Sequence, residues 1–312
     1  SIGKFLLYNN SIDSLKDNVI SMFSQLSYLY KNSAMLDQIR KFFDLAPENT
    51  NENGVEIDEI RTVKFDKVSY KYQGKSEYAL KDITLVLNAG EIAIFMGENG
   101  SGKSTLVKII MGVYSDYTGT VLINGFDLRE LNMKKYRQKV SALFQNYINY
   151  ESSIEENITY GDVQKKSDQK RIMDILEKVQ LDEYKDQLSQ ILGYQFQDGT
   201  QMSIGQWQKL ALGRALYRDA DIYIFDEPNA SLDLRTESSI LQTIHSETHN
   251  KITIIIMHRF NFLVRYANRI IVLKDGSIAE MGTHDQLIEE NGLYYELFCM
   301  NRKVNEADTK KK

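Results

Sequence analysis

With 312 residues, 42% of them hydrophobic and 26% charged, the chain has room for about two domains of roughly 100–200 residues each. Its composition fits neither a disordered chain nor a coiled-coil rod. Lys and Arg total 38 against 43 Asp and Glu, a net charge of −5, which argues against a general nucleic-acid binder, since such a protein carries a basic stripe. The single cysteine, Cys299, excludes an internal disulfide and any multi-cysteine metal site.

The chain opens without the basic, apolar, small-residue order of a secretory signal. Its longest early uncharged run, residues 18–30, contains Asn, Ser and Gln and is shorter than the roughly 20 apolar residues that span a membrane. Val19, Met22, Phe23, Leu26 and Tyr30, followed by Met35, Ile39 and Phe42, predict an amphipathic helix that stops at Leu45-Ala46-Pro47. On its own pattern this is a docking helix. Residues 47–60 are polar and read as a linker.

From residue 61 the pattern changes to short β runs alternating with helical stretches. Residues 63–72 and 83–87 alternate like antiparallel strands, whereas 92–96, 222–225 and 252–257 are continuous apolar runs of the kind buried on both faces. Residues 121–123 end at Asn124-Gly125, a hairpin turn signal, and 270–273 with 277–279 flank Asp275-Gly276 as a second hairpin. Helices are predicted over 103–111, 169–179, 205–216 and 238–245. The alternation predicts an α/β domain over 61–300, with residues 301–312 as a polar, frayed tail.

The most informative segment is Gly97-Glu98-Asn99-Gly100-Ser101-Gly102-Lys103-Ser104, which fits G-x-x-x-x-G-K-[ST]. Glycines let successive N–H groups turn inward around phosphate oxygens. The following helix adds its positive end, Lys103 a point charge for the β- and γ-phosphates, and Ser104 a hydroxyl for Mg²⁺. A buried strand precedes the loop and a helix follows, the setting that the chemistry requires. A second segment, Ile222-Tyr223-Ile224-Phe225-Asp226-Glu227, ends an apolar strand in two carboxylates. Asp226 is placed for Mg²⁺, through a coordinated water, and Glu227 for taking a proton from the attacking water.

With those two motifs in order, further residues match one family. Met202-Ser203-Ile204-Gly205-Gln206 resembles the L-S-G-G-Q signature of ATP-binding cassette (ABC) proteins, and Phe144-Gln145 resembles their Q-loop. Ala230-Ser231-Leu232-Asp233 resembles the D-loop, Met257-His258-Arg259 the H-loop, and Tyr72 the aromatic residue that stacks on adenine. The closing run, Asp275-Gly276 through Glu280-Met281-Gly282-Thr283-His284, is similar to that of exporter cassettes. The resemblance covers residues 61–300.

It implies an ABC-type P-loop ATPase: a mixed-sheet core with an antiparallel subdomain and a helical subdomain, preceded by a long N-terminal helix. It implies ATP and Mg²⁺ as ligands, with Tyr72, the loop from Gly97 to Ser104 and the adjoining Thr105 on the nucleotide, and Ser104, Gln145 and Asp226 on the metal. Glu227, His258 and Gln145 are the implied catalytic residues. Ser203, Gly205 and Gln206 would act on the ATP held by a second cassette, in a head-to-tail homodimer or a heterodimer with a paralogue. Residues 1–46 resemble the last transmembrane helix of an exporter and its cytoplasmic extension. On that resemblance the chain is a piece of a larger membrane protein with five further helices, its cassette on the cytoplasmic face.

Three departures stand out: Ile204 replaces the first signature glycine, Trp207-Gln208 stand where a basic residue is more usual, and Gln197 replaces a common Glu. Trp207 is open between helix packing and a partner contact. Gly205-Gln206-Trp207-Gln208-Lys209 and Phe196-Gln197-Asp198-Gly199 resemble exporters of modified bacterial peptides such as lantibiotics, with drug or lipid exporters as the alternative. Soluble cassettes acting on ribosomes or DNA carry paired copies or a long coiled-coil insertion, and neither occurs in this sequence. ATP capture without turnover is a further alternative, and the presence of both Glu227 and His258 argues against it.

Overall fold

The computed structural model describes residues 2–44, 51–194, 199–228, 234–257 and 262–300. The chain divides into two compact units, residues 1–49 and 50–312.

The first unit is a single helix, α1 (Ile2–Phe43). The expectation of one apolar face does not hold over its length. Leu6-Leu7-Tyr8, Val19-Ile20, Tyr28-Leu29-Tyr30 and Phe42-Phe43 are all exposed and apolar. Consecutive helical residues point about 100° apart, so such runs spread apolar side chains around the whole circumference. Polar residues are scattered among them, and no helix among the described residues is long and apolar enough to cross a membrane.

In chain order the second unit begins with β1 (Thr62–Tyr70), β2 (Leu80–Asn88), β3 (Ile92–Met96), α2 (Lys103–Ile110), β4 (Thr118–Ile123), β5 (Phe126–Asp127) and α3 (Met133–Gln138). It continues through β6 (Val140–Leu143), α4 (Ile154–Thr159), α5 (Gln169–Lys178), α6 (Ile204–Tyr217), β7 (Ile222–Asp226) and α7 (Leu234–Glu247). It closes with β8 (Ile252–Ile256), β9 (Arg269–Lys274), β10 (Ser277–Gly282), α8 (His284–Glu289) and a last helical stretch over residues 293–300.

Among the described residues these strands form two sheets. One is antiparallel, ordered β2-β1-β4-β5; the other is ordered β10-β9-β3-β8-β7-β6, parallel except for β10. The Asn124-Gly125 turn between β4 and β5 takes positive φ at both residues, 50° and 90°, the form that suits a two-residue hairpin.

Strand period two divides the core cleanly. In β3, Ile92, Ile94 and Met96 join the cluster that α4, α5, α6 and α7 also enter. Ala93 and Phe95, on the other face, join the cluster of α2 and the antiparallel sheet. The continuous apolar runs of β3, β7 and β8 are therefore explained: each face meets its own layer, and both must be apolar. The mixed sheet, the antiparallel sheet and the helical layer of α4, α5 and α6 packed on one another match the expected fold class.

Candidate nucleotide site

The parallel strands end on one edge, where open α/β sheets bind ligands. β3 runs directly into the Gly97–Ser104 loop, and β7 ends in Asp226 with β8 between the two strands. At about 4.8 Å per strand, the two motifs face each other across roughly 10 Å of backbone.

The loop needs its glycines for two separate reasons. Gly97 has φ 139°, and a Cβ there would lie 2.2 Å from the Leu273 carbonyl oxygen. Gly102, at φ 107°, caps α2, and a Cβ there would lie 2.7 Å from the Ala79 carbonyl oxygen. Glu98, Asn99 and Gly100 are exposed at the loop's crest, whereas Ser101, Lys103 and Thr105 are buried. Ser104 is exposed.

Lys103 is only 4% exposed. Its Nζ donates to the carbonyl oxygens of Gly97 and Glu98, both at 2.8 Å, and to Ser101 Oγ at 3.4 Å. Burial pulls its pKa down, and the negative charges of Asp226 and Glu227 oppose that shift. Asp226 is shifted the other way: burial and then Glu227 raise its pKa, and Lys103 pulls it back. The buried cation and the two carboxylates therefore lie in one electrostatic field, although they come from segments more than a hundred residues apart in sequence.

Around Glu227 the contacts come from three segments, the first being β8, where the Glu227 amide donates to the Ile256 carbonyl oxygen at 3.1 Å. Its φ is 50°, a left-handed conformation. Gln145 Nε2 donates to Glu227 Oε2 at 3.3 Å, and Gln208 Nε2 donates to the Glu227 carbonyl oxygen at 3.3 Å. Gln145, Asp226, Glu227, Gln208 and Ile204 line one cleft of about 370 Å³. Gln208 is 3% exposed; the sequence marked it only as an unusual residue, because its partner, Glu227, lies just past the end of β7.

The signature segment forms the start of α6 and divides by exposure. Ser203 is the N-cap, accepting from the Gln206 amide, while the Gln206 side chain accepts from the Ser203 amide. Ser203 and Ile204 are exposed and Gly205 and Gln206 half-buried. Tyr147, from the segment after Gln145, donates its hydroxyl to the Ile204 carbonyl at 3.2 Å. Thus the first turn of α6 is exposed at Ser203 and Ile204, capped, and tied to the segment that follows Gln145.

Trp207 points the other way. It is 4% exposed within the helical-layer core, which settles its role as packing. Its Nε1 has no hydrogen-bond partner among the described residues. Trp207→Ala should therefore cost about 3–5 kcal/mol of stability in urea unfolding. Trp207→Phe, which fills much of the space and removes the unpaired N–H, should cost less than half as much. Equal losses for both variants would contradict this account.

Tyr72 is 36% exposed and lies just beyond the end of β1. Its hydroxyl shares a hydrogen bond with Thr105 Oγ1 at 2.9 Å, joining the aromatic ring to α2. His258, the segment 230–233 and residues 196–198 lie outside the described residues. The other histidines are bonded to their surroundings: His249 to the Ser246 carbonyl, His284 to the Tyr294 hydroxyl, and His245 edge-on to Tyr266.

Residues 80–230 match the ABC transporter family. The chain carries an ABC transporter domain. The subtilin transport ATP-binding protein SpaT of Bacillus subtilis is 35% identical, over 94% of this chain and 48% of its own length. The nisin transport ATP-binding protein NisT of Lactococcus lactis subsp. lactis is also 35% identical, over 95% of this chain and 50% of its own. The chain thus spans about half the length of these relatives. In three dimensions, a bacterial Atm1-family ABC exporter solved with ATP bound superposes with a TM-score of 0.72 at 26% identity, covering 80% of this chain and 43% of that one. An ABC domain binds nucleotide, and the loop, the buried lysine and the paired carboxylates of this one fit that ligand.

Proposed function

We propose that this chain is the ATP-hydrolysing motor of a membrane exporter, working as a head-to-tail dimer with ATP sandwiched between two cassettes. The observation that carries the reading is the convergence of Lys103, Asp226 and Glu227 at one sheet edge, in an ABC domain whose signature turn is exposed at Ser203 and Ile204. The Gly97–Ser104 loop and Thr105 hold the phosphates, with Lys103 exchanging its carbonyl partners for phosphate oxygens. Tyr72 stacks on adenine. Ser104, Gln145 and Asp226 offer hard oxygen donors suited to Mg²⁺, which would neutralise phosphate charge when bound. Glu227 takes the proton of the attacking water, held in orientation by Gln145 and Gln208. His258 contacts the γ-phosphate. Ser203, Gly205 and Gln206 act on the nucleotide of the facing cassette, at the N-terminal end of α6.

Residues 1–46 are assigned to the end of the exporter's transmembrane region, 47–60 to a linker, 61–300 to the cassette on the cytoplasmic face and 301–312 to a tail. The two relatives named for subtilin and nisin transport support a modified peptide as cargo. Vesicles of the full-length transporter should then export such a peptide on adding ATP. Movement of a lipid or drug, with every peptide left behind, would contradict the cargo assignment.

The dimer is tested by the solution mass of the Glu227→Gln chain with and without Mg-ATP. The mass should double only with Mg-ATP, and a further Ser203→Arg change should keep it monomeric. A monomer that binds ATP under both conditions would overturn the sandwich for this chain.

A further inference from the structure

The structure holds Tyr72 inside an aromatic cluster that the phosphate-loop motif does not include. Tyr70 and Tyr114 stack with centroids 4.8 Å apart and planes 17° apart. Tyr72 meets both nearly at right angles, at 5.2 Å from Tyr70 and 5.8 Å from Tyr114. Tyr114 comes from the loop between α2 and β4 and is half-buried. The ammonium of Lys108, on α2, lies 5.9 Å from the centre of its ring.

These contacts tie the cluster to α2 at two points. Tyr72 bonds Thr105, and Tyr114 lies over Lys108. Residues 105 and 108 are three apart, so they occupy neighbouring positions on one face of the helix. The same helix begins at Lys103, within the phosphate loop. The aromatic ring that Tyr72 offers to a base is therefore registered against the phosphate-binding end of α2, not left to the coil that follows β1. Perpendicular and stacked pairs at these distances are attractive beyond the area that they bury, and fixing a ring before a ligand arrives removes an ordering cost from binding.

We propose that Tyr114 is a positioning residue for nucleotide-base recognition, holding the Tyr72 ring at a fixed offset from the phosphate loop. The inference rests on the reading above that Tyr72 stacks on the base. It separates two parts of nucleotide affinity: the phosphates depend on the loop, the base on the three tyrosines.

The test is an equilibrium titration of the 312-residue chain with Mg-ATP and, separately, with magnesium and inorganic triphosphate. Tyr114→Ala should weaken ATP about tenfold, the scale of two aromatic contacts, and should leave inorganic triphosphate within about twofold. Tyr114→Phe, which keeps the ring, should restore ATP affinity to within about twofold. Tyr72→Ala is measured beside them and should weaken ATP at least as much as Tyr114→Ala. Unchanged ATP affinity in Tyr114→Ala, or parallel losses for ATP and inorganic triphosphate, would overturn the proposal. If Tyr72→Ala weakens ATP alone while Tyr114→Ala changes nothing, the base platform stands and only the role of Tyr114 falls. If Tyr72→Ala leaves ATP affinity intact, the base platform itself is wrong, and the role of Tyr114 with it.

Discussion

Glu227→Gln should lower ATP turnover at least about 10²-fold, the scale of losing a general base, while ATP continues to bind. An amide has almost the shape of the carboxylate but takes no proton near neutral pH, so about 2.7 kcal/mol of barrier lowering is lost. The surroundings survive the change. Gln145 still finds an acceptor oxygen on the side chain, and Gln208 bonds the backbone carbonyl, which the substitution does not touch. The electrostatic consequence favours binding. Glu227 raises the Asp226 pKa, so removing its charge lets Asp226 ionise more readily, and one negative charge fewer faces the incoming triphosphate. Steady-state turnover and ATP titration on the same preparation decide the matter. Turnover within tenfold of the unaltered chain would remove Glu227 from the chemistry.

Much of this site could be read along the sequence because its chemistry is local. The phosphate loop packs its glycines, lysine and hydroxyl into eight consecutive residues between a strand and a helix, and the structure places each of those elements. β3, β7 and β8 were legible for a related reason, since strands covered on both faces must be apolar throughout. The elements that escaped are short. β6 has four residues with Ser141 and Ala142 in its middle, and its partner β7 lies about eighty residues downstream. α4 and α8 have six residues each, too few for a helical period to emerge. Each nevertheless carries a legible start: Ser153 with Glu156, and Thr283 with Gln286, form capping boxes in the structure.

What the sequence could not supply is proximity between distant segments. Gln208 reads as an unusual residue until α6 is set beside the end of β7, where its amide meets the Glu227 carbonyl. Tyr114 reads as a loop tyrosine until Tyr70 and Tyr72 are beside it. The amphipathic reading of α1 failed differently: residues chosen at helical spacing left out their apolar neighbours, which fill the rest of the circumference.

Lys103→Ala should weaken ATP binding about 10²-fold or more. The ammonium is buried at the floor of the loop, where desolvation lowers its pKa and its three donors are turned onto Gly97, Glu98 and Ser101. Those neutral acceptors compensate its charge only in part, so phosphate oxygens, which carry full negative charge, are better partners for the same three donors. Hydrogen bonds to charged groups contribute about 1.5–3 kcal/mol each, and two such bonds lost exceed a hundredfold in affinity. The substitution also strands the carbonyls of Gly97 and Glu98. A change of loop shape must therefore be separated from a loss of charge. Lys103→Met keeps much of the side chain's volume without its charge. If charge is what matters, Met and Ala weaken ATP alike, although Met leaves the nucleotide-free melting temperature closer to that of the unaltered chain. ATP should raise the melting temperature of the unaltered chain and of neither variant. Full ATP affinity in either one would mean that the loop binds phosphate through its backbone amides alone, and the central role given to Lys103 would have to be withdrawn.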